Sequence, residues 1–330
     1  MRVAIVGLGM AVTPHAKSLL DLKDRAQVAY AYSPSVERRK NFAERFAFPL
    51  TDRLETILAD RTVDAVLLLT PPNTHLELVE RCAAAGKHIL LEKPLEITYA
   101  RAERLVAAAR NVTLGIVLQH RFRPAAAKLH QLIAAGRLGK LVSASASIPN
   151  WRPQSYYDQP GRGTRARDGG GVLLTQGIHT LDLLTWFAGE TAAAKSYWTT
   201  TPVHRMETED LACAAIRFQS GALGVVQATT SAYPGFPERI ELIGTKGAAL
   251  LEGTAFRAHF TDGTTLEMKT ESGGGGTGAD PMAFPHDWHR SLLADFLDAI
   301  ESRREPRSSG RETLKVHRLI ERILNSGSGS

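Results

Sequence analysis

The sequence predicts an α/β protein in two parts: an N-terminal doubly wound parallel sheet and a C-terminal α+β domain with an open, largely antiparallel sheet. A chain of 330 residues exceeds one ordinary core, which favours two domains. Up to about residue 120, short β-branched runs alternate with helical patterns, which is typical of a parallel sheet covered by helices. Later runs follow one another across turns such as Ser220-Gly221 and Asp262-Gly263, which indicates antiparallel pairing.

The first domain is predicted to span residues 1–120. Its strands are expected at residues 3–6, 28–31, 65–69, 88–91 and 113–117. Helical patterns separate these strands, and the one over 76–85 ends at Gly86, a glycine stop with Lys87 beside it. This alternation predicts that the strands run parallel.

The second domain is predicted to span residues 121–325. A helix at 124–135, a strand at 141–148, a long loop and an apolar helix at 172–187 come first. Strands are then expected at 195–201, 211–218, 222–231, 239–243, 248–251 and 255–260. A flexible glycine-rich surface segment at 272–278 and helices at 287–303 and 311–324 follow, and residues 326–330 are predicted to be a disordered tail.

Composition narrows the class of protein. The chain is 43% hydrophobic and 22% charged and has no apolar run of membrane-spanning length, so a globular protein without a membrane function is expected. Residues 1–6 already have the pattern of a buried strand, which leaves no room for a secretory leader and favours the cytoplasm. The net charge of +6 comes from dispersed basic residues, so nucleic acid is not an expected partner. Cys82 and Cys213 lack metal or redox spacing and are interpreted as small core residues; no metal site is predicted.

A glycine turn after the first strand is the first candidate for a ligand site. It has the sequence Gly7-Leu8-Gly9-Met10-Ala11-Val12 and leads into a helix, with Thr13 as the expected N-cap and Pro14 at the first helical position. Such glycines let the backbone approach a pyrophosphate, which the helix N-terminus attracts, so Gly7, Gly9, Met10 and Ala11 are predicted to bind a dinucleotide. Val12 replaces the third glycine of the full pattern, and a glycine turn without a nucleotide is the alternative.

Two further turns extend this candidate site. The second strand ends at Tyr32-Ser33-Pro34-Ser35, where NAD-specific folds place an acidic residue for the ribose hydroxyls. Without that acid, Ser33 and Ser35 are predicted to bind a 2′-phosphate together with Arg38 or Arg39, which favours NADP over NAD; alternatively both arginines only solvate a helix. The turn after the third strand is predicted to line the adenosine and ribose side through Thr70, Pro71, Asn73 and His75, although His75 could equally be an exposed helix-start residue.

Five short motifs follow in order along nearly the whole chain: Gly7-x-Gly9, Thr70-Pro71-Pro72-Asn73-x-His75, Glu92-Lys93-Pro94, Gly169-Gly170-Gly171 and Gly177-x-His179-x-x-Asp182. Together they resemble the Gfo/Idh/MocA oxidoreductases, and Glu92-Lys93-Pro94 together with His179-x-x-Asp182 is much more specific than the glycines. The resemblance implies a Rossmann domain, an open-faced sheet domain for substrate and subunit contacts, bound NAD(P), and a homodimer or homotetramer. It also implies oxidation or reduction of a secondary alcohol on a sugar or cyclic polyol.

The resemblance assigns roles to individual residues. Lys93 resembles the catalytic lysine of the family and His179 its second acid/base residue. Lys93 follows an apolar strand, where partial burial lowers the pKa of an amine, and Pro94 fixes its turn, so it suits a base that takes the hydroxyl proton. Glu92 is expected to steady that ammonium or to contact the cofactor. Many sugar and inositol dehydrogenases of the family have Asp where this chain has Thr175, which favours a lysine-centred mechanism.

The remaining candidates are predicted to contact substrate or cofactor. Thr175, Gln176 and Asp182 form a polar stripe with His179 on an otherwise apolar helix, although a core histidine satisfied by Asp182 is the alternative. Gln119 and Arg121 follow the last strand of the first domain, beside the expected nicotinamide end of the cofactor. The loop at 151–167 supplies Trp151, Arg152, Tyr156 and Arg165. Aromatic faces suit sugar rings and arginines suit carboxylates or phosphates, which favours an acidic sugar or nucleotide sugar over simple solvation of a surface loop.

Three rival functions stay open. They are a catalytically silent NAD(P)-binding regulatory protein, a redox-neutral NAD-dependent glycosidase and a cyclic dihydrodiol dehydrogenase. Retention of Lys93 and His179 argues against the first.

Overall fold

The computed structural model describes residues 1–269, 278 and 285–329 and divides the chain into two compact units. Unit 1 contains Met1–Gln119 and His286–Thr313, and unit 2 contains His120–Pro285 and Leu314–Ser330. The sequence instead predicts one continuous second domain from residue 121 to 325. The difference arises after residue 285, where a helix packs on the first helix of the chain and Arg25 donates to Asp298 (2.6 Å) and Glu301 (3.1 Å).

Unit 1 is built around a parallel sheet. Its strands are β1 (Arg2–Val6), β2 (Gln27–Tyr32), β3 (Leu50–Thr51), β4 (Ala65–Leu68), β5 (His88–Leu91) and β6 (Leu114–Ile116). They pair in the order β3-β2-β1-β4-β5-β6, all parallel, which is the doubly wound order. Strands covered on both faces must be apolar throughout, and β4 is fully buried along its length. The five predicted strands are confirmed, and the two-residue β3 was missed because it is too short to show a pattern.

The order of strands locates the ligand edge of this sheet. Helices α1 (Val12–Asp21), α2 (Val36–Ala43), α3 (Leu54–Ala59), α4 (His75–Ala84) and α5 (Tyr99–Ala108) connect the strands. The chain leaves β1 towards β2 on one side, and β4 lies on the other side. Because the direction of winding reverses between β1 and β4, the carboxyl ends of these two strands border the crevice where ligands of such sheets bind.

Unit 2 contains a nine-stranded, mostly antiparallel sheet. Its strands are β7 (Leu141–Pro149), β8 (Thr191–Thr199), β9 (Leu211–Phe218), β10 (Leu223–Thr229), β11 (Arg239–Gly244), β12 (Gly247–Glu252), β13 (Ala255–Phe260), β14 (Thr265–Met268) and β15 (Ser328–Gly329). The order is β14-β13-β12-β11-β7-β10-β9-β8-β15, and only the β7–β10 and β8–β15 pairs are parallel. This confirms the predicted open, largely antiparallel sheet.

The two faces of this sheet differ. In β9 every second side chain is buried, which is the pattern of a sheet with one face on a core. Helices α6 (Pro124–Ala134), α7 (Gln154–Tyr157), α8 (Val172–Thr175) and α9 (Ile178–Ala188) precede β8, and α6 and α9 pack on the core side. The opposite side, which we call the open face, carries exposed apolar side chains at Tyr197, Leu223, Val225 and Ile243. Cys213 also lies exposed on this face, so its prediction as a core residue is wrong, whereas Cys82 is buried as predicted.

The last helices divide between the units. Helix α10 (Asp287–Glu301) belongs to unit 1, and α11 (Gly310–Ser326) passes from unit 1 into unit 2. The predicted disordered tail differs from the structure at Ser326, which ends α11, and at β15, whose backbone pairs with the edge strand β8. The predicted glycine-rich segment lies outside the described residues except for Gly278. No helix in the described part of the chain is long and apolar enough to cross a membrane.

The predicted helix at 172–187 is interrupted in the structure. It divides into α8 and α9 at Gln176-Gly177, where the Gly177 N–H donates to the carbonyl of Val172 (2.7 Å) instead of continuing the regular ladder. A Cβ at residue 177 would lie 2.9 Å from that carbonyl oxygen, so the close approach requires glycine. His179 therefore lies in the first turn of α9.

Candidate functional site

The glycine turn of unit 1 has the geometry of a dinucleotide cradle. Gly7 has φ +106°, and a Cβ there would lie 2.6 Å from the Leu69 carbonyl oxygen, so only glycine fits. A Cβ on Gly9 would meet nothing within 4 Å, so the space beside it is open. The N-cap of α1 is Ala11 and no side chain caps the helix, so the prediction of Thr13 as N-cap is wrong. An uncapped N-terminus presents backbone N–H groups, which fits an anion such as a pyrophosphate.

The predicted ribose corner brings Ser33 and Ser35 together. The backbone N–H of Ser35 donates to Ser33 Oγ (3.3 Å), and Ser35 Oγ accepts from the N–H of Arg38 (3.3 Å) as the N-cap of α2. Arg39 donates to the Ser33 carbonyl (2.6 Å) and lies 3.8 Å from Asp52, so its guanidinium is held by the protein. Arg38 is exposed on the first turn of α2. These contacts leave Arg38, rather than Arg39, as the cation available to a ligand.

The turn after β4 is held in place by His75. Its Nδ1 lies 3.0 Å and 3.1 Å from the carbonyl oxygens of Pro94 and Leu95, and its Nε2 lies 2.9 Å from that of Thr70. The side chain is fully buried, and this burial lowers the pKa of the imidazole. Both ring nitrogens are occupied by backbone carbonyls, so the prediction that His75 contacts the cofactor is replaced by a role in joining two turns. Thr70 and Pro71 are half-buried and Asn73 is exposed at the same edge of the sheet.

Glu92 and Lys93 follow β5 on the turn that His75 holds. The Glu92 N–H donates to the Leu68 carbonyl (2.8 Å), and Lys93 is half-buried beside the buried Pro94. The Glu92 carboxylate lies 3.5 Å from Nε2 of His15, a buried residue of α1, so it contacts the first helix. The ring of His15 packs edge-on against His289. The pKa of His289 lies well below its ordinary value, mainly because the imidazole is buried and also because the His15 imidazole is close to it.

Sequence reasoning missed this contact of His15. The available signal was a histidine on an otherwise apolar helix face one turn after the glycine turn.

Gln119 ends unit 1 with a buried polar atom. Its side chain is 5% exposed, and its Oε1 has no hydrogen-bond partner within the described part of the chain. A buried carbonyl oxygen without a donor costs free energy unless a ligand or water supplies one. This favours Gln119 as a residue that accepts a hydrogen bond from a bound molecule.

Arg121 and Asp182 form a buried ion pair in unit 2. Arg121 Nε donates to Asp182 Oδ2 (2.7 Å) and Nη2 to Oδ1 (2.6 Å), with the two side chains 1% and 0% exposed. The Arg121 guanidinium also lies 5.3 Å from the centre of the Trp186 ring. Arg121 was predicted to contact the cofactor, and Asp182 the substrate or His179. The bidentate pair uses Nε and Nη2 of Arg121 and both carboxylate oxygens of Asp182, which favours a structural role for the two residues, and both assignments stay predictions.

His179 stacks on a residue that the sequence did not single out. Its ring lies 4.5 Å from the ring of His120, at an interplanar angle of 27°. His120 Nε2 lies 2.6 Å from Nη2 of Arg123, and Arg123 pairs with Glu238 (2.5 Å), a residue just before β11. The signal in the sequence was the segment Gln119-His120-Arg121-Phe122-Arg123 after an apolar strand, in which only Phe122 is apolar. The partner of each of these side chains depends on contacts between distant parts of the chain. Arg123 and Glu238, for example, are 115 positions apart.

Thr175 and Gln176 lie at the break between α8 and α9. The Thr175 hydroxyl donates to the Gly171 carbonyl (2.6 Å) and lies against Gln176 Oε1. Both side chains are half-buried. Gly171 in turn contacts Glu209, two residues before β9, whose carboxylate accepts from the N–H groups of Gly171 (3.0 Å) and Leu173 (3.2 Å). Burial raises the pKa of Glu209.

Most arginine side chains of the loop at 151–167 donate hydrogen bonds to other residues of the protein. Arg152 is 3% exposed and donates to the carbonyls of Trp151 (2.7 Å) and Gly278, which favours a structural role, and its assignment as an anion ligand stays a prediction. The Tyr156 hydroxyl accepts from Arg162 (2.6 Å). Arg165 is exposed, and Trp151 and Tyr156 are half-buried. Trp151, Tyr156 and Arg165 therefore remain the candidate substrate contacts of this loop.

Comparisons with known proteins agree with the fold of the two units. Residues 1–119 match the model of an oxidoreductase family with an NAD-binding Rossmann fold, and residues 126–250 match the GFO/IDH/MocA C-terminal domain. The myo-inositol 2-dehydrogenase of Thermotoga maritima is 28% identical over 326 residues, covering 94% of this chain and 92% of its own length. The NAD(+)-dependent scyllo-inositol 2-dehydrogenase of Bacillus subtilis is 29% identical over 276 residues, covering 79% and 76%.

A solved structure is similar over the whole length. It is the WlbA dehydrogenase from Bordetella pertussis in complex with NADH and UDP-GlcNAcA, with 27% identity, a TM-score of 0.83, and coverage of 98% of this chain and 95% of the other.

Proposed function

Because the chain belongs to the Gfo/Idh/MocA family of oxidoreductases, we propose that it transfers hydride between NAD(P) and a secondary alcohol or ketone of a sugar, sugar acid or cyclic polyol. The observation that carries this proposal is the arrangement in unit 1. An uncapped helix N-terminus follows β1, and Lys93 follows β5, so both lie at the carboxyl edge of one parallel sheet. That edge is where ligands of doubly wound sheets bind.

The residues of this edge suit a dinucleotide. Gly7, Gly9, Met10 and Ala11 present backbone to a pyrophosphate, Thr70, Pro71 and Asn73 line the adenosine and ribose side, and Gln119 offers its unsatisfied oxygen. When bound, NAD(P) donates or accepts the hydride at C4 of the nicotinamide. The neighbouring hydroxyls of Ser33 and Ser35, the exposed Arg38 and the lack of an acid at 32–35 favour NADP. Initial rates with NAD and NADP at equal low concentration test this, and a clear NAD preference would contradict it.

Lys93 is the proposed acid/base residue. In the oxidative direction its Nζ takes the hydroxyl proton as the alcohol carbon loses hydride and becomes a carbonyl, and in the reverse direction it returns that proton. The buried Pro94 and the clamp of His75 on its carbonyl hold the turn that presents Lys93. Glu92 is oriented by His15 and is proposed to contact the cofactor or the lysine ammonium.

His179, Thr175 and Gln176 are the proposed substrate contacts on α8 and α9. His179 is proposed to contact the substrate hydroxyl, and Asp182 of the same helix pairs with Arg121. Trp151 and Tyr156 offer aromatic faces to a sugar ring, and Arg165 offers a charge to a carboxylate or phosphate. The similar WlbA dehydrogenase was solved with an acidic nucleotide sugar, which supports an acidic substrate. Neutral pyranoses turned over as well as their uronates would contradict this choice.

The open face supports a homodimer or homotetramer. This face has an apolar surface of a kind that monomeric soluble proteins rarely expose to water. The exposed side chains are those of Tyr197, Leu223, Val225 and Ile243.

The decisive experiment is a substrate panel assayed with Lys93→Met. Sugars, uronates, nucleotide sugars, inositols and dihydrodiols are screened for nicotinamide reduction. Loss of a general base lowers kcat by about 10²–10⁴-fold, while the Kd for the dinucleotide stays within about twofold. Lys23→Met, which changes an exposed lysine of the same unit, serves as the matched control and should behave as wild type. Turnover that Lys93→Met leaves unchanged would refute the assigned base. A wild-type protein that binds the dinucleotide but reduces it with no member of the panel favours the silent regulatory protein.

A further inference from the structure

Four polar side chains of unit 2 form a continuous row that leads from His179 into the protein. The His179 ring stacks on His120, whose Nε2 lies 2.6 Å from Arg123 Nη2. Arg123 Nη1 donates to Glu238 (2.5 Å) and to the Gly253 carbonyl (3.1 Å). His120, Arg123 and Glu238 are 8%, 1% and 6% exposed, so the row is buried behind the half-buried His179.

The row determines the protonation of His120. A guanidinium has only donors, so His120 Nε2 must accept the hydrogen bond from Arg123 and carries no proton. The neutral ring then holds its single proton on Nδ1, the nitrogen that faces Glu238 Oε1 at 3.9 Å. The charge of Arg123 is balanced by Glu238 behind the ring. His120 therefore presents an uncharged aromatic face to His179.

A second buried ion pair lies on the same two segments as the His120–His179 stack. Asp182, one turn further along α9, is bound by Arg121 from the turn that holds His120. The stack of the two rings, 4.5 Å apart at an interplanar angle of 27°, is a defined contact with the neutral face of His120 that can orient the His179 imidazole. It tolerates either protonation state of His179, because a charged ring on a neutral aromatic face meets no like charge.

We infer that His120 is a positioning residue, which Arg123 holds as a neutral ring so that its face orients the imidazole of His179 towards the substrate. This inference rests on the proposed function, in which His179 contacts the substrate hydroxyl. Catalytic groups displaced by about 1 Å can lose about a hundredfold in rate, so an orienting contact of this kind affects turnover without touching the substrate.

The test compares two substitutions of His120. His120→Ala removes the stacked face, and His120→Phe keeps a flat neutral face but loses the nitrogen that accepts from Arg123. We expect His120→Ala to lower kcat/KM for the best substrate of the panel by about tenfold or more, and His120→Phe to stay within about threefold of wild type. Dinucleotide Kd values within about twofold of wild type in both variants show that the effect is confined to the substrate step. His130→Ala, which removes a histidine stacked on Trp186 at 3.8 Å in the same unit, is the matched control.

A spectroscopic measurement reports the stack without turnover. The Hε1 proton signal of His179 is identified by its absence in His179→Asn, and the ring current of a stacked neighbour displaces it. We expect His120→Ala to move this signal and both His120→Phe and His130→Ala to leave it near its wild-type position. A His179 signal that His120→Ala does not move would overturn the inference whether or not the protein turns over a substrate.

The kinetic outcomes separate the inference from the proposed function. A wild-type protein without turnover on the whole panel refutes the proposed function. Turnover by wild type that His120→Ala leaves within about threefold refutes only the role of His120. Equal impairment of His120→Ala and His120→Phe overturns the role of the stacked face, because the phenyl ring preserves it.

Discussion

The buried pair of Arg121 and Asp182 allows a sharp prediction for Asp182→Asn. Two charge-assisted hydrogen bonds of 2.6 and 2.7 Å join side chains that are 1% and 0% exposed, so the substitution leaves a guanidinium without its counter-charge in the core of unit 2. Breaking a buried pair from one side costs about 3–5 kcal/mol of unfolding free energy. For a domain of this size, that lowers Tm by roughly 6–20 °C.

The assay is thermal and urea unfolding of purified protein, followed by steady-state kinetics at a temperature where the variant is folded. We expect a large loss of stability with the substrate KM within about twofold of wild type, since the carboxylate faces Arg121 rather than a ligand. The double variant Arg121→Met with Asp182→Leu should recover most of the stability, because removing both charges removes the uncompensated one. Glu80→Gln, from a pair of side chains 67% and 47% exposed, is the matched control and should cost no more than about 1 kcal/mol. An Asp182→Asn protein with unchanged stability and a raised substrate KM would refute the reasoning.

Three further predictions use other parts of the molecule. Gly9→Ala should keep the wild-type Tm, because the added Cβ meets nothing within 4 Å. It should raise the Kd for the dinucleotide about tenfold or more, because the methyl group occupies the space of the pyrophosphate. Fluorescence titration measures this Kd, and an unchanged value would show that the glycine turn is not part of the site. Tyr197→Glu on the open face should convert the protein into monomers, as measured by light scattering. Val203→Glu, at an exposed position outside the strands, is the control and should leave the assembly unchanged. A wild-type protein that is already monomeric would contradict the proposed assembly. Burial depresses the pKa of His75 and His289 below 6.5, so the unfolded chain binds more protons, and stability present above about pH 6.5 should be lost as the pH falls below it. His289→Phe should flatten the dependence of Tm on pH between 7.5 and 5.5, and an equally steep dependence in the variant would contradict this assignment.

Some site features could be predicted from the sequence because they depend on neighbours along the chain. A glycine between an apolar strand and a helix predicts a sharp turn, and Gly7 adopts the φ that only glycine adopts easily. Lys93 follows a buried strand, so its place at the carboxyl end of a parallel sheet was determined by the alternation of strands and helices. The antiparallel sheet was readable for the same reason, since alternate burial repeats every two residues.

Other features could not be predicted because they depend on partners far away in the chain. From residue type alone, Arg121, Arg152 and His75 were equally good candidates for binding a ligand. In the folded chain each of these side chains is hydrogen-bonded to other groups of the protein. Arg121 meets Asp182 across 61 positions, and no local pattern encodes that meeting. His120 was passed over for the same reason, because its importance comes from contacts with His179 and Arg123 that only the folded chain reveals.

The sequence by itself determined the order of strands and helices, the glycine turn and the position of Lys93, because hydrophobic periodicity and turn chemistry act over a few residues. Only the tertiary structure decided which polar side chains remain available to a ligand. Buried charged and polar groups must be satisfied, and they pair with whichever groups the fold brings within hydrogen-bond distance. That competition committed Asp182 to Arg121 and placed a neutral His120 against His179.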